Sequence, residues 1–244
     1  MDLHQTGFAD AGPGGGGDGE PGVPQAAAGE SEVPQLRRLI ARQEVLLAES
    51  RHRVHNILAL VRSIVSRTAR ADVSATTYAR DLEARIAALE RIQHVLADAG
   101  DARIGLGTMI AQAIAACGGE VGRQATLAGP AVSLSGRAAE SLGLAVHELA
   151  TNAAKHGALA AESGRIAVTW SIRREPGGGR LALEWSETGV AVARPSRRGF
   201  GSELIEKAVP YDLSGTGRLD IRETGVFCGI EIPLGEEVRA EEAP

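Results

Sequence analysis

Residues 1 to about 33, including GPGGGGDGEPGVPQAAAGE, show no hydrophobic period; Gly, Pro, Ala and acidic residues dominate. Such a segment buries too little apolar surface to offset the entropy of ordering, and it is expected to be disordered. From Pro34 a period sets in. Leu36, Ile40, Leu47, Val54, Ile57, Val61 and Ile64 follow steps of three and four, with Gln43 and Ser50 interrupting the stripe. The spacing predicts a long helix with a coiled-coil-like seam, running to about Ala71. Ser74 is a suitable N-cap for a second helix, in which Tyr78, Leu82, Ile86, Leu89, Ile92 and Leu96 repeat the pattern until Gly100. Two such helices joined by a short turn make a helical hairpin over residues 34–100. The simplest way to bury both seams is to dimerise into a four-helix bundle.

From about Ala102 the period changes. A helix over Leu106–Ala116 is followed by a short strand at Ala125–Leu127 and a helix from about Ser135 to His156. Strands follow at Gly164–Ile172 and Arg180–Ser186, with EPGGG as the turn between them. RRGFGSELIEKA opens a further helix, and strands at Gly217–Arg222 and Val226–Ile232 close the domain. Strands mixed with helices in this order predict an α+β sandwich over residues 101–234. The acidic tail, residues 235–244, is expected to fray.

Composition narrows the reading. The 244 residues are 43% hydrophobic but only 3% aromatic, so the core must be built from Leu, Ile, Val and Ala. The net charge of -5 gives no general attraction to nucleic acid or an anionic membrane. No apolar run approaches the roughly 20 residues of a membrane span, and the N-terminus lacks the pattern of a signal peptide. Cys117 and Cys228 are far apart and lack metal-ligand spacing, which suits a cytoplasmic protein with reduced thiols.

Two polar faces carry candidate chemistry. In ESRHRVHN, His52 lies about 200° from the seam, and Glu49, His55 and Asn56 share its face. This is either a solvated face or a displayed nucleophilic histidine, with Glu49 placed to take or hold the ring proton. The flanking Arg51 and Arg53 disfavour a metal site. In LAVHELATNAAKHGAL, Glu148 and Asn152 are i, i+4, and Lys155 completes the face. A carboxylate, a carboxamide oxygen and an ammonium suit a magnesium–phosphate group. The G-x-G of RRGFGSELIE, before a helix, allows an anion to approach the backbone. Glu187, at a strand end before Gly189, is placed to accept from an adenine amino group.

These motifs, in this order, resemble the HWE family of bacterial histidine kinases, close to the HisKA_2 kinases. The family takes its name from a histidine in the first ATP-site motif and a Trp-x-Glu in the second; here these are His147, Trp185 and Glu187. RHRVHNILALV resembles the phosphoacceptor motif, and the similarity covers about Gln35 to Leu234. It implies a dimerising hairpin followed by an ATP-binding sandwich of the gyrase–Hsp90–histidine-kinase type. It also implies Mg-ATP-dependent phosphorylation of His52, then transfer to an aspartate of a response-regulator receiver domain, with a general stress response as a candidate pathway. On this resemblance Glu148 and Asn152 lie at the Mg-ATP phosphates as magnesium ligands, Asn152 foremost, and Lys155 approaches phosphate. Glu187 takes the adenine, and Gly189, Gly199 and Gly201 shape the pocket. His147 and Trp185 are hallmarks without a role legible in the sequence. Departures stand at His55 (usually lysine), His156 (usually tyrosine) and Gly189-Val190-Ala191 (often Gly-Gly-Pro). Two rival readings keep the same sandwich: a phosphotransfer or scaffold protein that does not bind ATP, and an anti-sigma serine kinase.

Overall fold

The computed structural model describes residues 29–68, 74–98, 103–175, 178–192 and 199–241. The chain divides into two compact units, Met1–Leu58 and Ala59–Pro244.

The first unit holds the N-terminal part of helix α1 (Gly29–Thr68). The helix starts at Gly29 rather than at Pro34, so Pro34 lies inside it, where its ring removes one i→i−4 hydrogen bond. Every described side chain from Pro34 to Leu58 is exposed, including Leu36, Ile40, Leu47 and Val54 of the predicted seam.

In the second unit, Ile64 near the end of α1 is fully buried, and the Tyr78 hydroxyl donates to the Val65 carbonyl at 3.4 Å. Helix α2 (Ala75–Asp98) is capped as the sequence predicts: the Thr77 N–H donates to Ser74 Oγ at 3.1 Å. The buried stripe of α2 includes Leu89, Ile92 and Leu96 and packs along α4 (Gly136–His156). A Cβ at Gly143 of α4 would come within 2.4 Å of Ile92 Cδ1, so the missing side chain permits the close approach. Hence α2's half of the predicted seam is covered within the chain, whereas on α1 Ile64 is covered and the described seam positions up to Leu58 are exposed.

Beyond the hairpin helices come β1 (Arg103–Gly105), α3 (Leu106–Ala116), β2 (Ala125–Ala128) and β3 (Val132–Ser135), which leads into α4. A short 3-10 turn (Ala158–Ala160) follows α4, then β4 (Arg165–Glu175) and β5 (Gly178–Thr188). The helix predicted after the G-x-G is a continuous run: α5 (Phe200–Glu203), a π-helical segment (Leu204–Ala208) and α6 (Val209–Leu213). Strands β6 (Thr216–Arg222), β7 (Gly225–Pro233) and β8 (Val238–Ala240) complete the chain. The main sheet has the order β2-β4-β5-β7-β6, with β2 parallel to β4 and the other pairs antiparallel. Burial alternates along β4 and β5, so Ile166 and Val168 on β4, and Leu181, Leu183, Trp185 and Glu187 on β5, turn inward. Together with buried Leu142, Ala145 and Leu149 of α4 they form the core between helices and sheet.

A second sheet, β1-β3-β8, was not legible in the sequence, because strands of three or four residues are too short to show a period. It corrects the expectation of a frayed tail for residues 235–241; residues 242–244 lie outside the described residues. Val238–Ala240 pairs antiparallel with β3, and the Glu237 carboxylate accepts the Ala138 N–H at 3.0 Å in the first turn of α4. Ser135, at the N-cap of α4, makes no side-chain cap bond, so this acid from the tail satisfies an otherwise orphaned helix N–H.

Candidate functional site

Within the second unit, α2, α4, the sheet and the start of α5 surround a cavity of about 600 Å³. That volume falls in the usual range for small-molecule sites. Of the residues singled out in the sequence, His147, Glu148, Asn152, Lys155, Glu187, Gly199 and Gly201 line it. Trp185 and Gly189 do not line it. The side chains of Glu49, His52, His55 and Asn56 lie outside the described residues, although their backbone belongs to α1. Residues 193–198, which lead from β5 toward Gly199, also lie outside them.

At one end stands Glu187, 2% exposed. Its Oε1 accepts the Trp185 indole N–H at 3.1 Å and its Oε2 accepts the Ala158 backbone N–H at 2.8 Å. Residues two apart on a strand share a face, which explains the Trp-x-Glu spacing physically. Two glycines complete the holder. A Cβ at Gly157 would lie 2.1 Å from Glu187 Oε2, and one at Gly225 (φ +148) would lie 1.9 Å from the Glu187 carbonyl oxygen. Burial pushes the Glu187 carboxyl above its ordinary value, partly offset by the two donors. Gly189 serves the backbone beside this end: φ is +73, a Cβ would strike the Ser163 carbonyl, and the Ser163 hydroxyl donates to the Gly189 carbonyl at 2.8 Å. The structure therefore gives Gly189 a turn-forming role and no place on the cavity wall.

At the other end the helical spacing of α4 holds as expected, and Glu148, Asn152 and Lys155 line the same cavity. Gly201 sits against them: a Cβ there would lie 3.4 Å from both Asn152 Nδ2 and Glu148 Cβ. Two charges from α2, missed by the sequence reading, enter here. Arg85 grips Glu148 in a fork, Nε to Oε1 at 2.8 Å and Nη2 to Oε2 at 2.9 Å, with both side chains largely buried. The same guanidinium lies 4.2 Å from the centroid of the Phe200 ring, in the G-x-G motif. Lys155 Nζ donates to Asp81 Oδ1 at 2.9 Å. Burial of Asp81 opposes ionisation, but the Lys155 hydrogen bond and the charges of Lys155, Arg85 and Arg80 outweigh it and hold the carboxyl below its usual value. The available signal was an i, i+4 acid–base pair on the shoulder of an apolar stripe, but nothing local showed which element it would meet.

His147 is 7% exposed, and burial, with the charges of Arg91, Arg85 and Lys155, lowers its pKa to about 4. It is therefore a neutral imidazole near pH 7. Its Nε2 lies 3.5 Å from Thr151 Oγ1, one turn on, and its Nδ1 is buried without a hydrogen-bond partner.

The donor set can be tested against magnesium. Among the described residues no group of three His, Cys, Asp or Glu side chains could hold a metal by itself. One carboxylate and one carboxamide oxygen, Glu148 and Asn152, suit a hard ion whose remaining ligands are phosphate oxygens and water. The residues fit such an ion once Arg85 releases Glu148.

A helical hairpin followed by this sandwich is the architecture of histidine kinase domains. The histidine kinase domain of a blue-light activated histidine kinase from Erythrobacter litoralis superposes with a TM-score of 0.52 at 24% identity. The match covers 77% of this chain and 90% of that domain. Residues 49–131 match the family described as HWE histidine kinase. A blue-light-activated histidine kinase of Rhizobium johnstonii is 34% identical over 204 residues, 83% of this chain and 57% of that protein. One of the same name from Brucella ovis is 29% identical over 208 residues, 85% of this chain and 42% of that protein. The chain is thus similar to the HWE histidine kinases, through the family match over residues 49–131 and these relatives, and it spans about half the length of the curated relatives it matches.

Proposed function

We propose that the chain is a protein histidine kinase that binds Mg-ATP in the cavity of its second unit, phosphorylates His52 and passes the phosphoryl group to an aspartate of a receiver domain. The observation that carries the reading is a single cavity with a buried, oriented carboxylate at one end and Glu148, Asn152 and Lys155 at the other. Glu187 accepts the adenine amino group, and Gly201 lets the nucleotide backbone pass close to α4. Lys155, freed from Asp81, meets phosphate charge, and Glu148 and Asn152 hold the magnesium ion. When bound, that ion neutralises charge on the phosphates. A neutral His52 imidazole nitrogen attacks the γ-phosphorus in line; the N–P bond forms, the bond to the β-phosphate oxygen breaks, and ADP leaves. Glu49, one turn before His52, holds or takes the ring proton.

Among the described residues no helix is long and apolar enough to cross a membrane. The exposed stripe of Leu36, Ile40, Leu47 and Val54 on α1 supports a homodimer formed through that helix, measurable by light scattering. Arg51 and Arg53 beside His52 suit the acidic site of a receiver domain, of which a general stress-response regulator is one candidate.

Incubation with labelled ATP tests the reading. Acid-labile label is expected in the unaltered chain and in His55→Ala, and none in His52→Ala. Label retained in His52→Ala removes His52 from the mechanism. One observation favours a second reading: the internal pairing of Glu148 and Lys155 also suits a phosphotransfer or scaffold protein that binds no nucleotide. Calorimetry with Mg-ATP separates the two.

A further inference from the structure

Glu187 is an ionisable group almost wholly removed from water, and a buried carboxylate is costly unless its oxygens are hydrogen-bonded. The fold supplies one donor to each oxygen, from opposite sides: the Ala158 N–H just after α4 and the Trp185 indole two residues back on β5. Trp185 itself is 1% exposed, locked between Val168 of β4 and Cys228 of β7 in the strand register, so its N–H has a fixed direction. It does not line the cavity, whereas Glu187 does.

We propose that Trp185 is a positioning residue for nucleotide selection: its indole N–H fixes the Glu187 carboxylate as a pure acceptor toward the cavity, which favours a 6-amino purine over a 6-oxo purine. The inference rests on the nucleotide reading above and goes beyond it by giving the tryptophan a task. A carboxylate offers only lone pairs, so it accepts from the exocyclic amino group of adenine and meets the 6-oxo group of hypoxanthine with lone pairs facing lone pairs. A protonated carboxyl could instead donate to that oxygen, and the discrimination would fail. The proton balance at Glu187 therefore sets selectivity. Burial drives it toward protonation, and the Trp185 and Ala158 donors drive it back. Its partners across the sheet are Ile166 on β4 and Val226 on β7; the titratable groups of α4 lining the same cavity are His147, Glu148, Lys155 and His156, and those of α2 are Tyr78, Asp81 and Arg85.

The test is calorimetric binding of Mg-ATP and Mg-ITP to the full chain between about pH 5 and 8, for the unaltered protein and for Trp185→Phe. Loss of the N–H removes a donor to the charged form, so Glu187 holds its proton to higher pH. The expected result is an ATP-to-ITP affinity ratio about tenfold smaller in the variant, and an acid limb of ATP binding displaced to higher pH. Placing 3-benzothienylalanine at position 185 alone, with sulfur replacing the N–H at nearly the same shape, is expected to do the same if the phenylalanine variant folds poorly. An unchanged ratio and an unchanged acid limb in a folded variant overturn the proposal, even where affinity for both nucleotides drops together. Failure of the unaltered chain to bind either nucleotide overturns the nucleotide reading itself and this proposal with it.

Discussion

The two ends of the cavity are built on opposite principles. At the Glu187 end, every partner of the functional carboxylate comes from the sandwich: Trp185 from the same strand and Ala158 from the turn after α4. At the Glu148–Lys155 end, the partners come from α2: Arg85 for the carboxylate and Asp81 for the ammonium. At that end α2 presents a cation to Glu148 and an anion to Lys155, the two groups that the proposed function assigns to magnesium and phosphate. One end is ready for a ligand, and the other has its charges already answered. Burial and pairing alone therefore do not mark a residue as structural. Glu187 is paired and still lines the cavity, whereas both oxygens of Glu148 are taken by Arg85, which on the proposed function a ligand must displace.

The comparison can be broken most strongly at Glu187. Glu187→Ala should leave the Trp185 and Ala158 N–H groups buried without acceptors, at about 1–3 kcal/mol each. It should also weaken ATP binding by about a hundredfold; thermal unfolding and calorimetry measure the two effects. Retained ATP affinity would remove Glu187 from the site. Next comes Arg85→Ala. If Arg85 occupies the place of the ion, its removal should tighten Mg-ATP binding by about tenfold, because no intramolecular cation then competes. Weaker binding would instead make Arg85 part of the nucleotide site. The loss of a largely buried partner should lower stability even so, by about 3 kcal/mol where Glu148 stays out of water.

Acid titration should sharpen the contrast, because the two ends shift in opposite directions. Glu187 is raised above its ordinary 4.5, so its ionised form weakens the fold at higher pH, and the strain is relieved as the pH falls through its folded pKa. Asp81 is held below its ordinary 3.8, so the stability from its Lys155 pair is complete above that value and is lost only as the pH falls through the lower folded pKa. Side-chain carboxyl NMR should therefore show Glu187 protonating well before Asp81, with nucleotide affinity falling at the first step. The smallest effect should come from Asp81→Asn. Lys155 is 41% exposed, so the pair contributes under about 1 kcal/mol, and melting should barely move.

Much of the fold was legible because its signals are local. The capped start of α2, the span of α3, the long helix ending at His156 and the β4–β5 hairpin all follow from period, capping and turn residues within a few positions of one another. The face shared by Glu148, Asn152 and Lys155 followed from helical spacing alone. The task of Trp185 was available from strand period, since residues two apart point the same way, but the spacing was read there only as a family hallmark. The tail was misjudged because β8 is held by β3 and by the start of α4, about a hundred residues earlier in the chain, and three residues carry no period of their own.

Most of the longer elements, the polar faces and the family resemblance could be read from the sequence, because helix and strand periods and short motifs are written in neighbouring residues. Only the tertiary structure decided what those faces meet. Arg85 and Asp81 read as an ordinary i, i+4 pair until α2 is packed along α4, where a glycine at position 143 lets the helices approach. Which charge answers which depends on contacts between residues more than sixty positions apart, and no local pattern encodes that distance.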